Sequence, residues 1–299
     1  MGFQLEIKGD VQLPETPTWD ERIEKLYWTD LDSGDVHRYA PADRTEEVWH
    51  TGKTIGSAIL CDDVHKLLCV LADGIYLLDL ESKKLEFLCD PADGDRSLRY
   101  SDSRVDAAGR IYTSTVALTY GSDAYTPDQT GSFYCVELDG GIHVIEKAIN
   151  QYNTITWNID NTRLYAADTY NECLIAYPYS VDQGVLGQGE VVLDFKESYG
   201  MPDGMSVDQE GNLYICHWTG QVSVWDRNLN EKQPIPFPTP QVTCGGFGGA
   251  DLKDFYVGSG SWGYSLQEKE EHPGCGGFFV MKNPVPGRMY YKYPVRKSI

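Results

Sequence analysis

Short runs of alternating apolar and polar residues fill this chain, and the runs recur. "EGNLYICHWTGQVSVWD" (210–226) has close counterparts in "EKLYWTDLDSGDVHRYA" (24–40) and "NTRLYAADTYNECLIAYP" (161–178). "AGRIYTSTVAL…GSFYCVELDG" (108–140), "HKLLCVLADGIYLLDLE" (65–81) and "LKDFYVGSGS…GCGGFFVMK" (252–282) repeat the pattern more loosely. A period of two places apolar side chains on one face of a strand. Gly, Asp and Asn punctuate the runs and supply turns. Helical periodicity is nearly absent. Each unit is anchored by a pair: Leu26-Tyr27, Leu67-Leu68, Ile111-Tyr112, Leu164-Tyr165, Leu213-Tyr214 and Phe255-Tyr256. The second members are spaced by 41, 44, 53, 49 and 42 residues. Six units of about 40–50 residues, each with about four short strands, predict an all-β chain folded as a six-bladed β-propeller. A two-sheet sandwich leaves six equivalent units without a reason. One propeller domain is expected over residues 1–299. N- and C-terminal strands are expected to close the ring, "FQLEIKG" (3–9) pairing with "RMYYKYPV" (288–295), because closure removes exposed strand edges.

A second column of residues then becomes visible. A pair precedes each anchor by several residues: Trp19-Asp20, Cys61-Asp62, Val105-Asp106, Trp157-Asn158, Val207-Asp208 and Phe247-Gly248. It marks the end of the innermost strand of each blade. Four residues earlier stand Glu15, Ser57, Ser101, Asn153, Asp203 and Thr243. Pseudo-symmetry makes these one ring at one mouth of the central channel. Two carboxylates held close in a semi-enclosed tunnel raise each other's pKa or take up a cation. Glu15, Asn153 and Asp203 therefore read as metal ligands, and Ser57 and Thr243 as polar lining that holds water. An oxygen-only ring suits a hard ion, which makes the expected cofactor one divalent metal ion, Ca²⁺ first. Three ligands with open positions also suit Zn²⁺, Mg²⁺, Mn²⁺ or Fe²⁺.

The segments after the anchor strands should line the same mouth: Thr29-Asp30, 117–131, Asp168-Thr169, His217-Trp218 and 258–265. Arg99 lies close to the ring, and its rigid fork can hold a substrate oxygen or pair with Asp102. His217 reads as a mouth hydrogen bonder or a proton shuttle. Trp218 and Trp262 read as packing residues.

Charge narrows the partners. The chain has 299 residues, 25 basic and 45 acidic, for a net charge of -20. That argues against nucleic acid and against an anionic membrane, each of which needs a basic footprint. "MGFQLEIKGD" has neither the basic nor the apolar region of a signal peptide, and no apolar run is long enough to span a bilayer. Eight scattered cysteines without a CxxC pair read as reduced, buried thiols, so a cytoplasmic location is expected. No GxSxG elbow is present, which disfavours a nucleophilic serine.

"LPETPTWD" (13–20), "RYSDSRVDAAGRIY" (99–112), "NTITWNIDNTRLYAAD" (153–168), "PDGMSVDQEGNLY" (202–214) and "VTCGGFGGADLKDFYV" (242–257) together resemble the senescence marker protein/gluconolactonase/luciferin-regenerating enzyme family. The resemblance runs along essentially the whole chain. It implies a six-bladed propeller, a divalent metal in the channel and hydrolysis of a small-molecule sugar lactone. The family's metal-binding Glu, Asn and Asp fall on Glu15, Asn153 and Asp203, the positions the ring column also selects. The substrate-binding stretch falls on Arg99, Ser101 and Asp102. Where the family has R-x-N-D-G, this chain has Arg99-Tyr100-Ser101-Asp102-Ser103, with a shorter hydroxyl in place of the amide. The family's substrate-binding Glu in the insertion at 117–131 has no clear match, with Asp123 and Asp128 as substitutes. The implied chemistry is metal-assisted opening of an aldonolactone ring by water, with Asp203 or a nearby carboxylate orienting or deprotonating the water and Arg99 holding the substrate. The alternatives are a phosphotriesterase-like hydrolase at the same metal, or a metal-binding propeller without catalysis.

Overall fold

A computed structural model describes residues 2–118 and 130–295. Six antiparallel sheets follow one another along the chain. Their innermost strands are Pro14–Asp20, Ile55–Leu60, Leu98–Val105, Tyr152–Trp157, Pro202–Val207 and Val242–Gly248. These strands pack against one another in a closed ring, the sixth touching the first, which is the six-bladed β-propeller that the repeats predict. Among the described residues, no helix is long and apolar enough to cross a membrane.

Alternation explains why the blades hold together. On strand Lys25–Asp30, Leu26 and Trp28 join a cluster with Tyr256 and Phe278 of blade six. Tyr27, pointing the other way, joins one with Ile55, Leu67 and Leu78 of blade two. Both faces of a blade are therefore buried, one against each neighbour. Six such clusters occur, one at each blade interface. Each fully buried aliphatic or aromatic side chain contributes about 1.5–3 kcal/mol. Non-local contacts thus stabilise a ring whose individual hairpins would be marginal alone.

The innermost strand of every blade carries a one-residue β-bulge at the same place. A bulge opposes two residues to one and re-aims the side chains beside it. It can therefore turn two consecutive residues of a blade inward, as in blade three, where Ser101 and Asp102 both reach the channel. In blade one Thr16 adopts φ 50°, an uncommon conformation for a β-branched residue, directly after Glu15.

Ring closure occurs, with a different C-terminal partner from the one expected. The N-terminal strand Gln4–Ile7 pairs antiparallel with Gly277–Lys282, the third strand of blade six. "RMYYKYPV" (288–295) forms no sheet strand. Its alternating tyrosines serve another purpose, because the segment crosses the channel end opposite the Glu15 mouth. Arg288 N–H donates to Val207 at 2.8 Å, Tyr290 Oη lies 2.9 Å from Ser206 Oγ, and Tyr293 N–H donates to Leu60 at 2.8 Å. The Tyr290 ring lies 4.7 Å under the Arg104 guanidinium. Alternation without a partner strand is satisfied by insertion between blades.

Candidate metal and substrate site

Glu15, Arg99, Ser101, Asp102, Asn153 and Asp203 all line one cavity of about 420 Å³ at the other mouth of the channel. Leu31, Asp32, Thr169, Tyr170, Trp218 and Trp262 complete much of its wall, so the turns after the anchor strands do frame this mouth. Asp123 and Asp128 lie outside the described residues.

Two of the expected ring residues are not on the wall. In blade two the strands pair Leu60 with Leu67, as Trp19 pairs with Leu26 in blade one. Cys61 therefore lies one residue beyond the end of the innermost strand, and the ring member is Gly56, which lines the cavity in place of Ser57. Ser57 Oγ instead donates to Asp102 Oδ1 at 2.6 Å. Thr243 Oγ1 donates to the Pro14 carbonyl at 2.5 Å and is absent from the wall. The turn between the first two strands varies in length from blade to blade, so distance along the chain could not fix the register. Pairing does.

The centre of the site is a pair of buried carboxylates. Glu15 and Asp203 are 7% and 4% exposed. Burial, and then the charge of Asp102, push the Glu15 carboxyl up to about 7, against hydrogen bonding from Cys244, which lowers it. Burial, then the charges of Glu15 and Asp102, hold Asp203 well above the usual carboxylate range. Asp203 Oδ1 is buried with no hydrogen-bond partner. A buried oxygen without a donor is costly unless a cation or a proton meets it. This observation fits a divalent ion: Glu15 and Asp203 supply the charge, and Asn153 supplies an amide oxygen on the same wall.

Sequence reasoning missed Cys244. Its thiol donates to Glu15 Oε2 at 2.6 Å, and Sγ lies with carboxylate oxygens of Glu15 and Asp203 in a group spanning no more than 4.8 Å. The signal was available in the bulge, which can turn the next residue of a blade inward as well. Those next residues are Thr16, Ser57, Asp102, Thr154, Gly204 and Cys244. Gly204 is required here: a Cβ would lie 2.4 Å from Cys244 Cα and 2.6 Å from its sulfur. The site is thus not lined by oxygen alone. All eight cysteines are free, seven of them buried.

Asp102 acts as a strut. Its Oδ1 accepts from Ser57 Oγ at 2.6 Å, Ser103 N–H at 2.7 Å and Arg104 Nη1 at 2.7 Å, and its Oδ2 accepts from Thr154 Oγ1 at 2.9 Å. Three blades meet on one carboxylate. Arg99 is left without it: among the described residues Arg99 forms no ion pair, and Nη1 donates only to the Tyr100 carbonyl at 3.3 Å. Burial lowers the pKa of this guanidinium, against the charges of Tyr170, Glu15 and Asp32. Arg99 is the one Lys, Arg or His among the described lining residues. His217 is no part of the wall. It is a core residue, with Nε2 2.8 Å from Ser223 Oγ, and burial lowers its pKa to about 4.

A pH dependence follows. The folded chain holds protons on Glu15 and Asp203 that the unfolded chain releases near pH 4. Their raised pKa values therefore contribute stability that is present in full below the unfolded values; the Glu15 part is lost as pH rises through about 7, and the Asp203 part is lost as pH rises through its own raised value. A bound divalent ion needs both groups ionised, so it competes with those protons. The rise in Tm caused by a saturating divalent ion should grow from pH 5 to pH 8, as differential scanning fluorimetry in matched buffers would register. A rise independent of pH over that range contradicts ligation by these two groups.

A family description, the SMP-30/Gluconolactonase/LRE-like region, matches residues 13–261. The chain is 29% identical to a 6-deoxy-6-sulfogluconolactonase of Pseudomonas putida, over 92% of each chain. It is 26% identical to the pentonolactonase XacC of Haloferax volcanii, over 95% of this chain and 96% of that one. Among solved structures, a calcium-binding protein, regucalcin, from Agrobacterium tumefaciens superposes with a TM-score of 0.90 at 24% identity, covering 99% of this chain and 98% of that one.

Proposed function

The chain belongs to the SMP-30/gluconolactonase/LRE-like family, and from that premise we propose that it is a divalent-metal-dependent lactonase that opens a sugar-lactone ring. Relatives named as lactonases of sugar derivatives align along nearly its whole length, which supports a lactonase at the level of the family. The observation that carries the metal-dependent reading is the pair of buried carboxylates Glu15 and Asp203, with Asp203 Oδ1 lacking any partner, on the floor of a cavity of about 420 Å³. Glu15, Asn153 and Asp203 would hold the ion.

Held by these residues, such an ion would supply Lewis acidity towards the lactone carbonyl and a more acidic water. Asp203 then has the part of general base: a carboxylate oxygen takes the proton of the attacking water and returns it to the ring oxygen as the C–O bond breaks. Arg99, paired with no carboxylate among the described residues, donates to the substrate's oxygens from the wall, and the Ser101 hydroxyl offers a second contact. Asp102 stays in the substrate-binding set as the residue that fixes the ledge on which Ser101 stands. Leu31 and the indole of Trp218 give the cavity an apolar side that limits water.

The test is a panel of aldonolactones, followed by a pH indicator with and without EDTA. Hydrolysis should disappear with the chelator and return with added divalent ion. Turnover indifferent to chelation overturns the metal-dependent reading.

A further inference from the structure

We propose that Cys244 is a fourth protein ligand of this metal site, and that the site selects a thiophilic divalent ion of the zinc class over calcium. The proposal rests on the metal reading above and extends it to the identity of the ion. Three potential ligand atoms, Cys244 Sγ and one carboxylate oxygen each from Glu15 and Asp203, lie within 4.8 Å of one another. All three residues are buried. The Asp203 oxygen without a partner belongs to the same group of residues. The sulfur's place is built into the backbone of the neighbouring blade, because any side chain at residue 204 would occupy it.

Distances are compatible with this role. Oxygen and sulfur ligands about 2.1 and 2.3 Å from a tetrahedral ion stand about 3.6 Å apart. Sγ and Glu15 Oε2, now 2.6 Å apart, need to separate by about 1 Å, which rotation of the Glu15 side chain can supply. On binding, the Sγ–H bond breaks, a sulfur–metal bond forms and the proton passes to solvent. No electron changes hands. Two carboxylates and a thiolate carry one negative charge more than a divalent ion neutralises, and Arg99 on the same wall offsets it. Calcium wants six to eight oxygens and gains little from sulfur, whereas zinc and cobalt accept a small mixed set of oxygen and sulfur. With Asn153, the wall offers three oxygen-bearing side chains, and one sulfur lies beside two of them, a set closer to the second group.

The competing account is that the thiol serves only as a hydrogen-bond donor to Glu15. Cobalt(II) separates the two. The full chain loaded with Co²⁺ should develop sulfur-to-cobalt charge-transfer absorption in the near ultraviolet, Cys216→Ser should retain it, and Cys244→Ser should lose it while still binding Co²⁺. In parallel titrations, Cys244→Ser should weaken Zn²⁺ binding at least tenfold more than it weakens Ca²⁺ binding. X-ray absorption on the Zn²⁺-loaded wild-type chain should report a sulfur neighbour at about 2.3 Å, a measurement that needs no variant. Co²⁺ bound without charge-transfer absorption, or absorption that survives Cys244→Ser, overturns the proposal and leaves the lactonase reading standing. Absence of any divalent-ion binding overturns both.

Discussion

Asp203→Asn is expected to lower lactone hydrolysis by about 10²–10⁴-fold, the span that a positioned acid–base group contributes, while leaving the propeller folded. The substitution keeps the volume of the side chain and removes its charge. What it removes from the site is the anionic ligand and the proton acceptor together, leaving a neutral amide oxygen. What it removes from the fold is an energetic burden, since burial and the charges of Glu15 and Asp102 oppose ionisation of this carboxyl. Two measurements therefore move in opposite directions. In EDTA at pH 8, the Tm of Asp203→Asn should equal or exceed that of the wild type, because the wild type must place a second negative charge beside Glu15. With a divalent ion present, the wild type should gain Tm and the variant should gain little. A merely structural Asp203 predicts the reverse in EDTA, with loss of stability. Wild-type turnover together with a wild-type response to metal removes Asp203 from the proposed mechanism.

What was legible in the sequence follows from what repeats. The blades announced themselves because each must bury two faces, so Leu26 and Tyr27 are both apolar although they point to different neighbours. Glu15, Asn153 and Asp203 emerged because the bulge holds one position of each innermost strand at the channel mouth. The features that escaped are those that symmetry does not carry. Ser57 was placed one residue too far along because turn length differs between blades, and only strand pairing resolves it to Gly56. Cys244 was passed over because the column counted one inward residue per blade, where a bulge can present two. The tail at 288–295 alternates like a strand, yet the sequence holds no partner for it. Its tyrosines are long, flat side chains with one polar tip each, suited to filling the end of a channel and reaching polar groups there.

Asp102→Ala should be the most destabilising single change at the site, by about 3–5 kcal/mol, the usual loss when one member of a buried ion pair is removed. Arg104 is 4% exposed, its Nε already lacks a partner, and its Nη1 bond to Asp102 is its one contact with a carboxylate among the described residues. Truncation strands that charge in the channel, beside a Tyr290 ring whose face attracts it but cannot neutralise it. It also takes away the acceptor of the Ser57 and Thr154 hydroxyls, which belong to blades two and four. For a chain of this size the loss corresponds to a fall in Tm on the order of 10 °C. Removing both charges separates the pair's role from the site's. In Asp102→Ala/Arg104→Met no charge is left unpaired, so much of the lost stability should return, since replacing a buried pair by apolar groups is often close to neutral. Hydrolysis should not return with it, because the ledge that carries Ser101 would no longer be tied to its neighbouring blades. Urea unfolding of the two variants beside the wild type measures the first effect, and lactone turnover measures the second. An Asp102→Ala protein within about 0.5 kcal/mol of the wild type, the range of an ordinary surface substitution, shows that no strut stands there. A double variant that regains turnover along with stability shows that the strut serves the fold alone.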